Sequence, residues 1–331
     1  MAKPKAAGGG GRRIKVDYMT RTERVNAAVN GAEVDRVPVC FWHHFQPEGS
    51  GRAMAEATLR FFDEEFDLDI AKVMPDIPYP FPRKSIAAAD DWHLFEPIDP
   101  VRSRYFRERA EAVAGLRDAF GFDTPVIMTV FSPLAEAMYA ARDREQFMSH
   151  LQEHPVLMHE VLSTIAENLS NHMQDVINAG ADGVFFAIQG CSRTIMTEQQ
   201  YREFGRPYDL MALRGASYGW LNILHIHGDK ELMFDQVLDY PIQVLSWSDR
   251  IAGPSLREAR VKTSKCLMGG WNEFGALSNG PEEQIAAEAR DAIAQTGGRK
   301  FILANGCSVP DDTDPKWLEA ARAIVEDLPV S

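Results

Sequence analysis

Cysteines are few and scattered: Cys40, Cys191, Cys266 and Cys307 show no CxxC spacing. That pattern excludes a small disulfide-stapled secreted fold and fits reduced thiols in a cytoplasmic protein. No apolar run is long enough to span a bilayer, and no apolar core follows the basic N-terminal residues as a secretion signal requires. Glycine-rich phosphate loops of the GxGxxG or GxxxxGK kind are missing, which argues against a nucleotide enzyme. Positive charge is in deficit too, with 35 Lys and Arg against 48 Asp and Glu and a net charge of −13. Nucleic acids and anionic membranes reward cationic excess, so neither is an expected partner.

The rest is the composition of an ordinary globular protein, 45% hydrophobic and 25% charged over 331 residues. Residues 1–16 are rich in Gly, Lys and Arg with little to bury and read as a flexible tail, leaving 17–331 as one domain. Thr20 and Glu23 stand in capping-box spacing ahead of Gly31, which predicts a short N-terminal helix. Eight strand-like apolar runs follow: Val37–Trp42, Leu68–Met74, Pro125–Phe131, Gly183–Gln189, Leu221–His227, Ile242–Trp247, Cys266–Trp271 and Phe301–Asn305. Helical patterns with readable ends separate most of them, such as the one opened by His154-Pro155 and closed near Gly180, and the one from Pro281 to Thr296. Eight strands alternating with helices predict an α/β fold, a single (β/α)8 barrel with an N-terminal helical extension. The stretch from Asp76 to Asp123 is expected to add helices or a lid at the barrel mouth.

In such a barrel the chemistry lies at the C-terminal ends of the strands. Side chains alternate along a strand, so His225 and His227 share a face. Cys307 follows the last strand, and two imidazoles with one thiolate form a zinc set that leaves a fourth position open. Alone, a histidine at a strand end is more often hydrogen-bonded structure, and a cysteine more often a small core residue. The other strand ends offer His44, Asp76, Gln189, Asp249 and Asn305, together with His43, Ser132, Cys191, Asp229, Asn272 and Glu273. His43 and His44 are neighbours on a strand, so only one of them can face inward.

From about Thr20 onward the chain resembles the uroporphyrinogen decarboxylase superfamily. The resemblance rests on Arg21–Ala28 with Asp35-Arg36-Val37-Pro38-Val39, on Ala179-Gly180-Ala181-Asp182-Gly183, on Gly269-Gly270 and on Ile302–Pro310. It implies a (β/α)8 barrel and two branches: decarboxylases of a tetrapyrrole, and zinc methyltransferases that pass a methyl group from a corrinoid protein to a thiol or similar acceptor. Decarboxylases carry an Arg-Gln-Ala-Gly-Arg run after the first strand, where this chain reads Phe41-Trp42-His43-His44-Phe45. Met74-Pro75-Asp76-Ile77 is similar to the segment bearing their essential aspartate, which makes Asp76 the catalytic candidate. Methyltransferases carry His-x-Cys-Gly and a later Gly-Cys as zinc ligands. Here those places read His225-Ile226-His227-Gly228 and Gly306-Cys307, so the resemblance implies zinc on His225, His227 and Cys307. His44, Gln189, Asp249 and Asn305 are the candidates for binding substrate. No Asp-x-His-x-x-Gly cobalamin motif is present, so the corrinoid is expected on a partner protein or free as methylcobalamin. The expectation is a methyltransferase. A decarboxylase and a non-catalytic tetrapyrrole- or corrinoid-binding barrel stay as alternatives, and a homodimer stays open.

Overall fold

The structure, a computed structural model, describes residues 18–45 and 49–328. The expected tail at 1–16 lies outside them. Eight parallel strands form one sheet: β1 Val39–Cys40, β2 Ala71–Val73, β3 Val126–Phe131, β4 Gly183–Ile188, β5 Ile223–Ile226, β6 Val244–Trp247, β7 Cys266–Trp271 and β8 Phe301–Asn305. Their order is β1-β8-β7-β6-β5-β4-β3-β2, the curled sheet of a TIM-type barrel. Each strand falls inside its expected run. Parallel strands covered by helices are buried on both faces, which is why they read as continuous apolar stretches.

β1 and β2 end the hydrogen-bonded order and meet at a seam held largely by one residue. The Asp69 amide donates to Val39 O (2.9 Å), and the Val39 amide donates to Asp69 Oδ2 (2.8 Å). Arg24 Nη1 reaches the same carboxylate at 2.7 Å and Arg36 Nη1 at 2.5 Å, while Arg24 Nε donates to Asp35 Oδ1 at 2.6 Å. Every member of this cluster is buried. Breaking one partner of such a network strands a buried charge, which costs about 3–5 kcal/mol.

Arg24 is presented by the helix Arg21–Asn30. Thr20 caps it by accepting from the Glu23 amide, Glu23 caps Thr20 in return, and Gly31 ends it at φ +77. The helix Pro155–Asn178 begins with Pro in its first turn and buries Met158, Val161, Leu162, Ile165, Leu169 and Met173. The stretch after Asp76 adds helices, as expected, and no lid is needed to account for it. It supplies a wall helix, Arg104–Phe120, which buries Tyr105, Phe106, Ala112, Val113 and Leu116. A short turn at Ala89–Leu94 is pinned by Trp92, whose Nε1 donates to His150 Nδ1 at 2.9 Å. Trp92 also packs against Phe95 and Phe147.

Strand register carries one face around the barrel, in the row Phe131↔Ala187↔His225↔Ser246↔Met268↔Ile302. Paired residues on adjacent strands point the same way. Thr129↔Phe185 and Lys72↔Ile127↔Gly183 belong to the same inward face. The contact of Lys72 on β2 with the Phe185 ring on β4 crosses the interior.

Candidate metal centre

β5 delivers His225 to the interior and His227 to its edge, as their spacing predicts. Cys307 arrives from the turn after β8. One ligand atom from each of the three lies within 4.8 Å of the other two, and His227 Nδ1 is 3.8 Å from Cys307 Sγ. A tetrahedral zinc with bonds of ~2.0 Å to nitrogen and ~2.3 Å to sulfur separates such atoms by about 3.5 Å. The residues therefore fit the ion, and a small inward movement would complete the geometry.

Two glycines allow this approach. Gly228, at φ +149, turns the chain directly after His227, where a β-carbon would stand 2.8 Å from Leu232 Cδ2. At Gly306 a β-carbon would lie 2.5 Å from Ser248 Cα and 2.8 Å from Glu273 Oε2, so only glycine lets the Cys307 turn close on β6 and β7.

His225 is buried, and its ring stacks on Phe185 with centroids 5.3 Å apart and planes at 25°. Burial pushes its pKa well below the usual histidine value, helped by His227 and Lys72, so the ring is neutral. Its Nδ1 is 3.3 Å from Ser246 Oγ. A proton on Nδ1 donated to that hydroxyl leaves the Nε2 lone pair for a cation, the usual outer-shell arrangement for metal-binding histidine. Burial likewise lowers the pKa of His227 against the opposing charge of Asp229. Burial raises the Cys307 thiol, and so does nearby Glu273; a metal ion reverses that preference by holding the thiolate.

The other candidates occupy different places. Asp76, past the end of β2, has its Oδ1 3.2 Å from His44 Nδ1, so these two form a pair. Gln189 Nε2 donates to Tyr139 Oη. Asp249 breaks the inward parity of Ser246 and Ser248, and its Oδ1 accepts from the Gly270 amide at 2.9 Å. Burial raises its pKa to about 7. Asn305 is also off the inward parity, and its Nδ2 donates to Trp42 O (3.2 Å) and Cys307 O (2.6 Å), fixing the Cys307 turn against β1.

Sequence reading passed over Ser246, Ser248 and Lys72, and gave Glu273 no role. Glu273 is buried, accepts from Ser248 Oγ, and leaves Oε2 without a partner. Burial raises its pKa. Lys72 is a charge inside an otherwise apolar strand, a signal the sequence did contain.

An eight-stranded parallel barrel with two histidines and a cysteine converging at its C-terminal mouth defines a class of metal-capable (β/α)8 proteins. Residues 64–328 match uroporphyrinogen decarboxylase (URO-D), and the chain belongs to that family. It is 23% identical over 312 residues to the methylcobamide:CoM methyltransferase MtaA of Methanosarcina barkeri, covering 93% of this chain and 83% of that protein. It is 28% identical over 254 residues to a uroporphyrinogen decarboxylase of Aromatoleum aromaticum, covering 69% and 66%. A methyltransferase from Methanosarcina mazei shares the fold with a TM-score of 0.74 at 21% identity, covering 93% of this chain and 99% of its own. A B12-independent methionine synthase from a Shewanella species aligns with a TM-score of 0.60 at 13% identity, covering 84% and 87%.

Proposed function

We propose that the protein is a zinc-dependent methyltransferase that moves a methyl group from a methyl-corrinoid to a thiol or similarly soft nucleophile. The corrinoid would come on a partner protein or as free methylcobalamin. The observation that carries this reading is the convergence of His225, His227 and Cys307, and the similarity to MtaA supports it. When bound, zinc supplies the Lewis acidity that holds an acceptor thiol as its nucleophilic thiolate at neutral pH.

The chain's own residues do the rest. His225 and His227 stay neutral and so bind a cation without first losing a proton. Ser246 steadies the His225 ring through its Nδ1, and Asn305 fixes the turn that presents Cys307. Trp42 and Phe185 pack edge to face at 5.1 Å beneath the ligands and keep water from the floor of the pocket. His227 and Cys307 stay partly open to solvent, so a substrate can approach from the mouth. Asp76 and His44, paired on the rim, are placed to orient it.

The test mixes zinc-loaded protein with methylcobalamin and a panel of thiols and folates, following the cobalt by its visible spectrum, with and without a cognate corrinoid protein. Zinc-dependent demethylation is the expected result. Its absence with every acceptor and donor overturns the reading. Less carboxylated products from a parallel incubation with uroporphyrinogen would instead establish the decarboxylase, for which Asp76 is the candidate group.

A further inference from the structure

We infer that the methyl acceptor is a thiol with a positively charged tail, an aminothiol rather than a thiol carrying a sulfonate or carboxylate; this rests on the function proposed above. The metal set itself leaves no charge for that tail to answer. A divalent cation, the Cys307 thiolate and the bound acceptor thiolate sum to zero, since imidazole ligands are neutral. The side chains around the set therefore decide what the tail carries.

Carboxylates stand on several sides of it. Asp76 Oδ1 lies 3.2 Å from His44 Nδ1 and Asp311 Oδ1 lies 3.8 Å from His43 Nδ1, so each histidine after β1 has an acid beside it. Asp229 follows His227 by two residues and is exposed. Glu273 is buried against Gly306, the residue before Cys307, and its Oε2 is an acceptor without a donor. The basic side chains on the same loops are engaged elsewhere or offset. Arg193 pairs with Glu198, Arg250 with Asp291 and the Gly270 carbonyl, and Lys230 is flanked by Asp229 and Glu231. Lys72, buried below, donates to the Met74 thioether at 3.0 Å, and the ring centroids of Phe185 and Trp42 lie 4.4 and 5.0 Å from its Nζ. Its charge is met by ring faces rather than held out to an anion. An anionic tail would thus meet repulsion, which discriminates between partners as strongly as attraction does.

Aromatic walls are a second, independent feature that suits an ammonium. Phe131 shares the register row of His225, and Tyr139, 45% exposed, packs edge to face with it at 5.3 Å. Phe274, after β7, is 62% exposed. Ring faces attract a cation through their quadrupole and offer nothing to a sulfonate. Lys72 Nζ against Phe185 and Trp42 is the same pairing within this barrel.

The experiment gives zinc-loaded protein and methylcobalamin one of three acceptors built on the same short frame: cysteamine, 2-mercaptoethanol or 2-mercaptoethanesulfonate. Each rate is divided by the free thiolate fraction, so that differences in thiol acidity drop out. kcat/KM is expected to fall in that order, by about tenfold or more from cysteamine to the sulfonate. Added salt should lower the cysteamine rate and raise the sulfonate rate, because screening weakens attraction and repulsion alike. Asp229→Asn and Glu273→Gln each remove one carboxylate and should shrink the ratio of cysteamine to mercaptoethanol, with zinc content checked in both. If Glu273→Gln folds poorly or loses metal, Asp229→Asn on its exposed loop decides. A sulfonate that matches or exceeds cysteamine overturns the inference, and so does a ratio that neither variant moves. Demethylation by mercaptoethanol with no preference among the three acceptors leaves the methyltransferase function standing and this inference wrong. No demethylation with any thiol ends both.

Discussion

His227 Nδ1 lies 3.8 Å from Cys307 Sγ although 80 residues separate them along the chain. Nothing local in sequence brings them together. The contact exists because β5 and β8 end on the same side of one barrel and because Gly306 lets the second turn press against β6. A thiol and an imidazole with burial-lowered basicity, this close and partly open to solvent, are suited to share a cation.

Ser246 is the residue that contacts the His225 ring on its Nδ1 side. Ser246→Ala removes the hydroxyl that contacts His225 Nδ1 at 3.3 Å and so loosens the ring. Loss of such outer-shell partners typically weakens metal binding about 10–100-fold. Competitive titration of zinc against a chelator of known affinity should show that drop with the fold intact, read by circular dichroism. Unchanged affinity would mean that Ser246 does not orient the ring.

Acid stability should report on the seam. Burial alone would raise the Asp35 carboxyl, but hydrogen bonds from Arg24 and the Met19 amide hold it at about 2, below its ordinary 3.8. A carboxyl depressed on folding contributes stability that is fully present above its unfolded pKa and lost as pH falls through the folded one. That window runs from about 4 down to 2, and the shift corresponds to roughly 2 kcal/mol. Urea unfolding between pH 5 and pH 2 should show the loss. In Asp35→Asn that portion should be missing, with lower stability at pH 5 and a shallower fall.

Much of the fold was legible because a parallel barrel writes its strands as apolar runs and its helices with caps at both ends. The Thr20 cap, the Gly31 stop and the Pro155 start all stand where the residues place them. The metal candidates were legible for a similar reason, since a period of two puts His225 and His227 on one face. Roles at the other strand ends were not. Asp249 and Asn305 look like mouth residues in sequence; Asp249 lies in the turn past β6 and accepts from the Gly270 amide, and Asn305, off the inward parity of β8, donates to the carbonyls of Trp42 and Cys307. Which residue of a strand faces inward is fixed by register with its neighbours, and one chain's sequence does not print that register. The helices of the Asp76 to Asp123 stretch were expected, but not which surface they pack on, because aromatic residues that pack a barrel's wall have the same composition as those that line its mouth.

The central claim is that His225, His227 and Cys307 hold one zinc ion, and elemental analysis of protein purified without added metal tests it most directly. Wild type should carry one zinc per chain, while His227→Ala and Cys307→Ala should fold normally and lose most of it. Full zinc occupancy in both folded variants, or none in the wild type even after equilibration with zinc, would contradict the account.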